Sequence, residues 1–354
     1  MKRLATALVA MLMLGGCASQ PADNQTTEGS QQDEQVVNIY TWADYIPPDV
    51  ITDFEKETNI KVNFTSFTQN EDMLEKLRAV KGGDYDLIIA SDYAIDIAVK
   101  EGLAGELNKD LIPNYSNIDP EFQGQYFDPE NKYTVPYIAG TPLIVYDPAM
   151  VSVPIDGYES LWDPSLSDSV AAMDDMRNLI GVTLRTMGKT LNETDPVVLE
   201  EAKTKLLELK PNIRTLDYNN GQAAIISGEA SVGYLFTSQV NEAIKARPDL
   251  EVVYPKEGLG YGIDAWFMPA NAPHPDNAAK FLNFVMEGER AAYIIEQVGY
   301  TNTNQAAQPF LSEDYLNNPV VNIPQSALEN AQMIENIGNE ATALYDQIWT
   351  EFKK

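Results

Sequence analysis

Val36-Val37-Asn38-Ile39-Tyr40 is a short β-rich run and predicts the first strand of the folded region. Pro47-Pro48-Asp49 then opens a helix in which Val50, Ile51 and Phe54 recur at helical spacing. Residues 60–64 predict a second strand. Over 70–81 the pattern is that of an amphipathic helix, with Met73, Leu74, Leu77 and Val80 on one face and Gly82-Gly83 ending it. Residues 85–90 read as a buried strand, followed by a helix over about 92–100. This β-α-β-α-β-α rhythm predicts a mostly parallel sheet with helices on both faces.

A second series follows with no Gly/Ser linker between. Strands are predicted at 143–146, 170–173, 213–216, 231–236 and 250–254, with two helices within 175–209, one near 222–226 and one reaching Lys245. The joins near 136–142 and 262–268 are themselves strand-like, which suits two lobes linked by crossing strands. A further amphipathic helix spans 276–286, with Ala278, Phe281, Leu282 and Val285 inward, and the chain is expected to end in helix over about 325–353. No fixed-period repeat is visible.

Ahead of this lies a segment of another kind. Lys2 and Arg3 precede an apolar run over 4–14 that is too short to span a bilayer, so it reads as a signal peptide. It closes on Leu14-Gly15-Gly16-Cys17, which holds the only cysteine and resembles the bacterial lipobox. That resemblance implies lipidation of Cys17, cleavage before it, and an extracytoplasmic domain tied to a bacterial membrane, in a periplasm or at a cell surface. Residues 18–35 are polar and without period, a tether whose r.m.s. span as a coil is roughly 25 Å. With no second thiol, the exported domain has no disulfides and depends on its apolar core.

Lys plus Arg number 24 against 53 Asp plus Glu, a net charge of −29. Such a surface repels nucleic acid and anionic lipid and attracts cations at long range, though solubility in saline habitats accounts for it equally well. Catalytic constellations are mostly absent. The one histidine, His274, sits between Pro273 and Pro275 in a loop, and there is no Gly-x-Ser-x-Gly elbow, Walker loop or His-Glu-x-x-His. Gly258-Leu259-Gly260-Tyr261-Gly262 lacks dinucleotide spacing, and the loop opening at Asp128 lacks calcium-loop residues at its sixth and twelfth positions. No enzyme, cofactor or metal site is expected.

The chemistry that does stand out is aromatic residues beside acids at strand ends. The stretch Tyr40-Thr41-Trp42-Ala43-Asp44-Tyr45 follows the first strand, Ser91-Asp92-Tyr93 follows the third, and Ile263-Asp264-Ala265-Trp266 lies in a crossing strand. Ligands of open α/β sheets sit beyond the carboxyl ends of strands. Aromatic faces attract ammonium groups by about 0.5–2 kcal/mol each, and a carboxylate completes a receptor for an organic cation.

Residues 37–48, Phe54-Glu55-Lys56-Glu57-Thr58-Asn59-Ile60-Lys61-Val62, Tyr85-Asp86-Leu87-Ile88, Asn117-Ile118-Asp119-Pro120, Val135-Pro136-Tyr137, Pro255-Lys256-Glu257-Gly258, Pro269-Ala270-Asn271 and Gly299-Tyr300 together resemble the extracytoplasmic polyamine-binding proteins of ABC transporters, the spermidine/putrescine receptors. The likeness covers the chain after the tether. It implies a type II periplasmic-binding fold, with two α/β lobes joined by crossing strands and a ligand cleft between them. Lobe 1 is expected to comprise 36–140 plus 263–308, and lobe 2 to comprise 141–262 plus 309–354. It further implies that Trp42 and Tyr45 sandwich the polyamine with Asp44 between them, that Ser91 and Tyr93 form a second loop, that Asp175 and Asp264 pair with amines, and that Tyr300 completes the cleft. Departures from the family pattern are Phe236 and Gly262 where spermidine receptors carry tryptophan, Asn178 where they carry glutamate, and Glu335 in place of a neutral amide. A polyamine or related organic cation and an ABC permease are the implied partners, with the chain acting as a monomer and binding no nucleic acid. Another amino compound, or service as a sensory subunit, stays open, and the departures favour a diamine over a long triamine.

Overall fold

The computed structural model describes residues 35–354. The expected signal peptide (1–16), Cys17 and the tether through residue 34 lie outside the described residues. Among the described residues, no helix is long and apolar enough to cross a membrane.

The first series folds as read. Strand β1 (Val36–Thr41) leads into α1 (Pro48–Thr58), β2 (Lys61–Ser66), α2 (Asn70–Val80), β3 (Leu87–Ser91) and α3 (Asp92–Lys100). Helix α1 starts on Pro48, whose ring presets φ for a first turn, and ends at Asn59 in the left-handed region (φ 57°). After irregular turns come β4 (Thr134–Gly140) and β5 (Leu143–Tyr146). The middle of the chain forms β6 (Val170–Ala172), α4 (Met176–Thr186), α5 (Pro196–Leu209), β7 (Ile213–Leu216), α6 (Gln222–Ile226), β8 (Val232–Leu235), α7 (Thr237–Ala246) and β9 (Glu251–Val253). Strand β10 (Gly260–Phe267) then returns to the first sheet, ahead of α8 (Pro275–Val285), α9 (Gly288–Val298) and β11 (Thr301–Asn302). Helix α9 was not read from the sequence pattern, which ended the preceding helix at 286.

Two sheets result. The first runs β11-β4-β10-β3-β1-β2 and the second β7-β6-β8-β5-β9. Neither is mostly parallel, contrary to the expectation from the β-α rhythm. β1 is parallel to β2 and β3, but β10 is antiparallel to both β3 and β4. In the second sheet β5 is antiparallel to β8 and β9, while β6 is parallel to β7 and β8. The cause is connectivity: β4 carries the chain out of the first sheet and β10 brings it back, so adjacent crossing strands must run in opposite directions.

Period-two alternation places the second sheet between two apolar layers. Ile144, Val170, Ala172, Val232 and Tyr234 join one core with α4, α5 and the C-terminal helix. Leu143, Val145, Ala171 and Leu235 join another with α6 and α7. A third, larger core packs around the first sheet.

The C-terminal region departs from the single helix expected over 325–353. It contains α10 (Glu313–Leu316), α11 (Gln325–Leu328), β12 (Gln332–Met333) and α12 (Gly338–Lys353). The break is held by distant partners: β12 pairs with Gly260 and Tyr261, Asn192 Nδ2 donates to Met333 O at 2.9 Å, and Leu191 N donates to Gln332 Oε1 at 3.0 Å. The last crossing between lobes also falls later than residue 309. Leu311, Tyr315 and Val321 belong to the first core, whereas Val320 belongs to the second sheet.

Candidate functional site

Between the two sheets lies a cavity of ≈ 220 Å³, below the about 300–1,000 Å³ of sites for drug-sized ligands, so it suits a small, flexible one. Its walls are the carboxyl ends of β1, β3, β6 and β8, with β10 running past them. Trp42 and Tyr45 follow β1, Ser91 ends β3, Asp175 caps α4 after β6, and Phe236 links β8 to α7.

The aromatic walls form a connected series. The Trp42 and Tyr45 rings lie 4.8 Å apart, and Tyr45 lies 5.8 Å from Tyr300. Tyr300 rests on β4 at Gly140, where a Cβ would stand a tight 3.1 Å from its ring. On the opposite wall Tyr218 meets Phe236 edge-on at 5.1 Å. Trp42 is anchored by donation from its Nε1 to Thr68 O at 3.3 Å, and the Tyr137 hydroxyl donates to Tyr45 O at 2.6 Å. Tyr137 sits at an irregularity where β4 slips against β10 between Asp264 and Ala265. Such bulges re-aim side chains beside sites, and this one tolerates Pro136 within a strand.

Five carboxylates line this space: Asp44 and Glu242, which are exposed, and the more enclosed Asp264, Asp175 and Asp92. Asp264 pairs in register with Ser91 across β10 and β3, and its Oδ2 accepts from the Tyr45 hydroxyl at 2.7 Å. Burial pushes its carboxyl above the ordinary range, and hydrogen bonds from Tyr45 and Ser91 only partly offset this. Asp175 is raised by the same cause, opposed by its role as N-cap, in which Oδ1 accepts from Asn178 N at 2.8 Å. Asp92 is 2% exposed and is pushed well above its ordinary range by burial and then by Asp264. Behind them, Glu71 accepts from the Tyr93 hydroxyl at 3.0 Å and is likewise raised by burial.

One buried cation answers these anions. Arg177 is 5% exposed, lies 5.3 Å from the rings of both Tyr93 and Tyr345, and donates from Nη2 to Asn192 Oδ1 and Glu335 O. Its Nε has no partner among the described residues. Among those residues no cluster of His, Cys, Asp and Glu could hold a metal ion.

Nine of the residues singled out from the sequence come together around the cavity: Trp42, Asp44, Tyr45, Ser91, Tyr93, Asp175, Phe236, Asp264 and Tyr300. Asp44 is exposed, at the rim. Glu335 is not among the lining residues and is exposed; its neighbour Ile334 lines the cavity instead. The segment after β12 is extended, so adjacent side chains point to opposite sides, and Glu335 contributes only main-chain contacts to Asn192 and Arg177. Trp266, grouped above with the aromatic candidates, is fully buried in the first core. Asp92, Arg177 and Tyr218 went unread as site residues. The strand-end signal reaches two of them, since Asp92 follows β3 and Tyr218 lies two residues past β7, but nothing local marks Arg177.

Two α/β lobes enclosing a cleft at their strand ends define a binding protein of the periplasmic type. The model of the bacterial extracellular solute-binding proteins matches residues 49–322, and the chain belongs to that family. The spermidine/putrescine-binding periplasmic protein of Salmonella typhimurium is 33% identical over 343 residues, covering 97% of this chain and 95% of that protein. The putrescine-binding periplasmic protein PotF of Escherichia coli is 30% identical over 342 residues, covering 91% and 92%. A solved structure, a putative spermidine/putrescine ABC transporter from Listeria monocytogenes, matches with a TM-score of 0.86 at 33% identity, covering 90% of this chain and 99% of that one.

Proposed function

We propose that this chain captures an aliphatic polyamine in the cleft and delivers it to an ABC importer from the outer side of the membrane. The observation that carries the reading is the excess of buried carboxylates over cations within aromatic walls. Asp175 and Asp264 stand on opposite lobes, so a cation carrying two separated ammonium groups satisfies both and holds the lobes together. Trp42, Tyr45 and Tyr300 supply π faces for the charged ends and apolar surface for the methylenes between them. The relatives named for spermidine and putrescine support this choice of ligand.

Calorimetry with putrescine, cadaverine, spermidine and spermine tests it, with saturable binding of at least one expected. One observation favours a second reading. The unpartnered Arg177 Nε suits a ligand carboxylate, as in an amino acid with a distal amine. Binding of 4-aminobutyrate where all four polyamines give no heat would favour that reading and reject the first.

The anchor is part of the proposal. Acylation at Cys17 would hold the receptor at the membrane, since acyl chains contribute about 0.8 kcal/mol per buried methylene and two or more make release rare. Cys17→Ala is expected to release the protein from the membrane fraction. Retention after a high-salt wash would place the anchor elsewhere.

A further inference from the structure

Asp92 and Gly262 together form a feature that the contacts described so far do not use. Asp92 opens α3 immediately after Ser91, and the start of that helix accounts for one of its oxygens: Oδ1 accepts from Tyr93 N at 2.7 Å. The other oxygen, Oδ2, receives only the amide of Ile263, at the long distance of 3.3 Å. An anion this buried ordinarily draws several short hydrogen bonds or a counter-charge. Asp92 lines the cavity nonetheless.

Across from it, Gly262 and Asp264 share one face of β10, because successive strand residues alternate. Nothing local demands a glycine at 262. Its φ lies outside the left-handed region, and a Cβ added there would meet a single atom within 4 Å, the Oδ2 of Asp92 at 3.7 Å. The missing side chain leaves nothing of residue 262 packed against that oxygen, although Asp92 as a whole is only 2% exposed. A large side chain at 262 would be built directly over it.

We propose that Asp92 and Asp264 form a paired-carboxylate subsite for a primary ammonium of the ligand, and that Gly262 is the opening that admits it. This rests on the polyamine reading and deepens it. A primary ammonium carries three N–H donors, enough to bond both carboxylates at once, whereas two buried carboxylates with no cation between them repel. The raised position of Asp92, with Asp264 as its second cause, agrees with such a pair awaiting a cation. The subsite also offsets the neutral Asn178: the anion lacking on α4 is supplied from α3, in the other lobe.

The test is a double-mutant cycle by calorimetry with putrescine and spermidine on wild-type protein, Asp92→Asn, Gly262→Trp and the double variant, at fixed pH and salt. Thermal unfolding without ligand checks that each is folded. Asp92→Asn is expected to raise Kd at least tenfold for one or both amines. Gly262→Trp, which keeps the carboxylate but covers it, is expected to weaken binding comparably. In the double variant the two losses are expected to fall well short of multiplying, because tryptophan covers nothing useful once the charge is gone. An Asp92→Asn protein that binds both amines within twofold of wild type would overturn the subsite alone, as would losses that multiply in the double variant. A wild-type protein that binds neither these two amines nor cadaverine or spermine would remove the polyamine reading, and the subsite with it.

Discussion

The two walls of the cleft are built from unequal electrostatic designs. On the first-lobe side, the charge of Asp264 adds to burial in raising Asp92, burial raises Asp264 itself, and Glu71 lies behind Tyr93. On the second-lobe side, Asp175 is fixed as the cap of α4 by Asn178 N, with Arg177 two residues along the chain. Arg177 is felt on both walls, lowering Asp175, Asp92 and Glu71 alike but always less than burial raises them, and the first wall holds three raised carboxylates against one on the second. A cation has more to gain on the first wall, which becomes the receptor proper, with the second acting as a complementary cover.

On that difference, the largest effect belongs to Asp264. Removing one partner of a desolvated charge pair leaves the other unpaired and costs ~2–5 kcal/mol. Asp264→Asn is expected to weaken polyamine binding accordingly, and equal affinity in mutant and wild type would erase the distinction between the walls. Asp175→Asn is expected to lose less, because asparagine still caps the helix and Arg177 no longer has that charge to answer. Asp175→Ala adds a stability loss of about 1 kcal/mol from the missing cap, readable as a lower unfolding temperature. An Asp175→Asn loss as large as that of Asp264→Asn would show the second wall to be equally charge-hungry.

The pH dependence follows from the same groups. Asp92, Asp175, Asp264 and Glu71 all titrate above their ordinary values when folded, so the folded state binds more protons than the unfolded chain between that ordinary range and the raised one. Ligand-free stability is thus expected to rise as pH falls from neutrality toward the ordinary carboxylate range. Carboxylates held low by ion pairs, such as Asp147 with Arg247 and Glu101 with Arg78, oppose this only in stronger acid. Polyamine affinity should move the other way over the same window, as protonation removes the anions. Unfolding scans and calorimetry between pH 7 and pH 5, flanking that window, check both signs. The smallest effect is expected at the exposed rim, where Asp44→Asn should change Kd less than about fivefold and depend on salt.

Much of this molecule is written in its local pattern. Short β-rich runs marked strands such as β5 and β8, helical spacing and terminal signals marked α1 and α2, and the placing of Trp42, Tyr45 and Ser91 at strand ends brought all three to the cleft. These succeed because period, cap and strand end are properties of a few consecutive residues. Direction and facing are not. The mixed sheets follow from β4 leaving and β10 re-entering the first lobe, which no short window contains. Ile334, not Glu335, reaches the cavity because β12 takes its register from Gly260 and Tyr261, some seventy residues away in the chain. Gly262 looked like a lost tryptophan, and only the pairing of β10 with β3 showed that a side chain there would stand against Asp92 Oδ2. Sequence alone determined most of the strands and helices up to α8 and the aromatic and acidic chemistry at their ends, but not α9 or the break before α12. Tertiary structure decided which carboxylates meet, because burial and mutual repulsion arise only where distant strands are brought side by side.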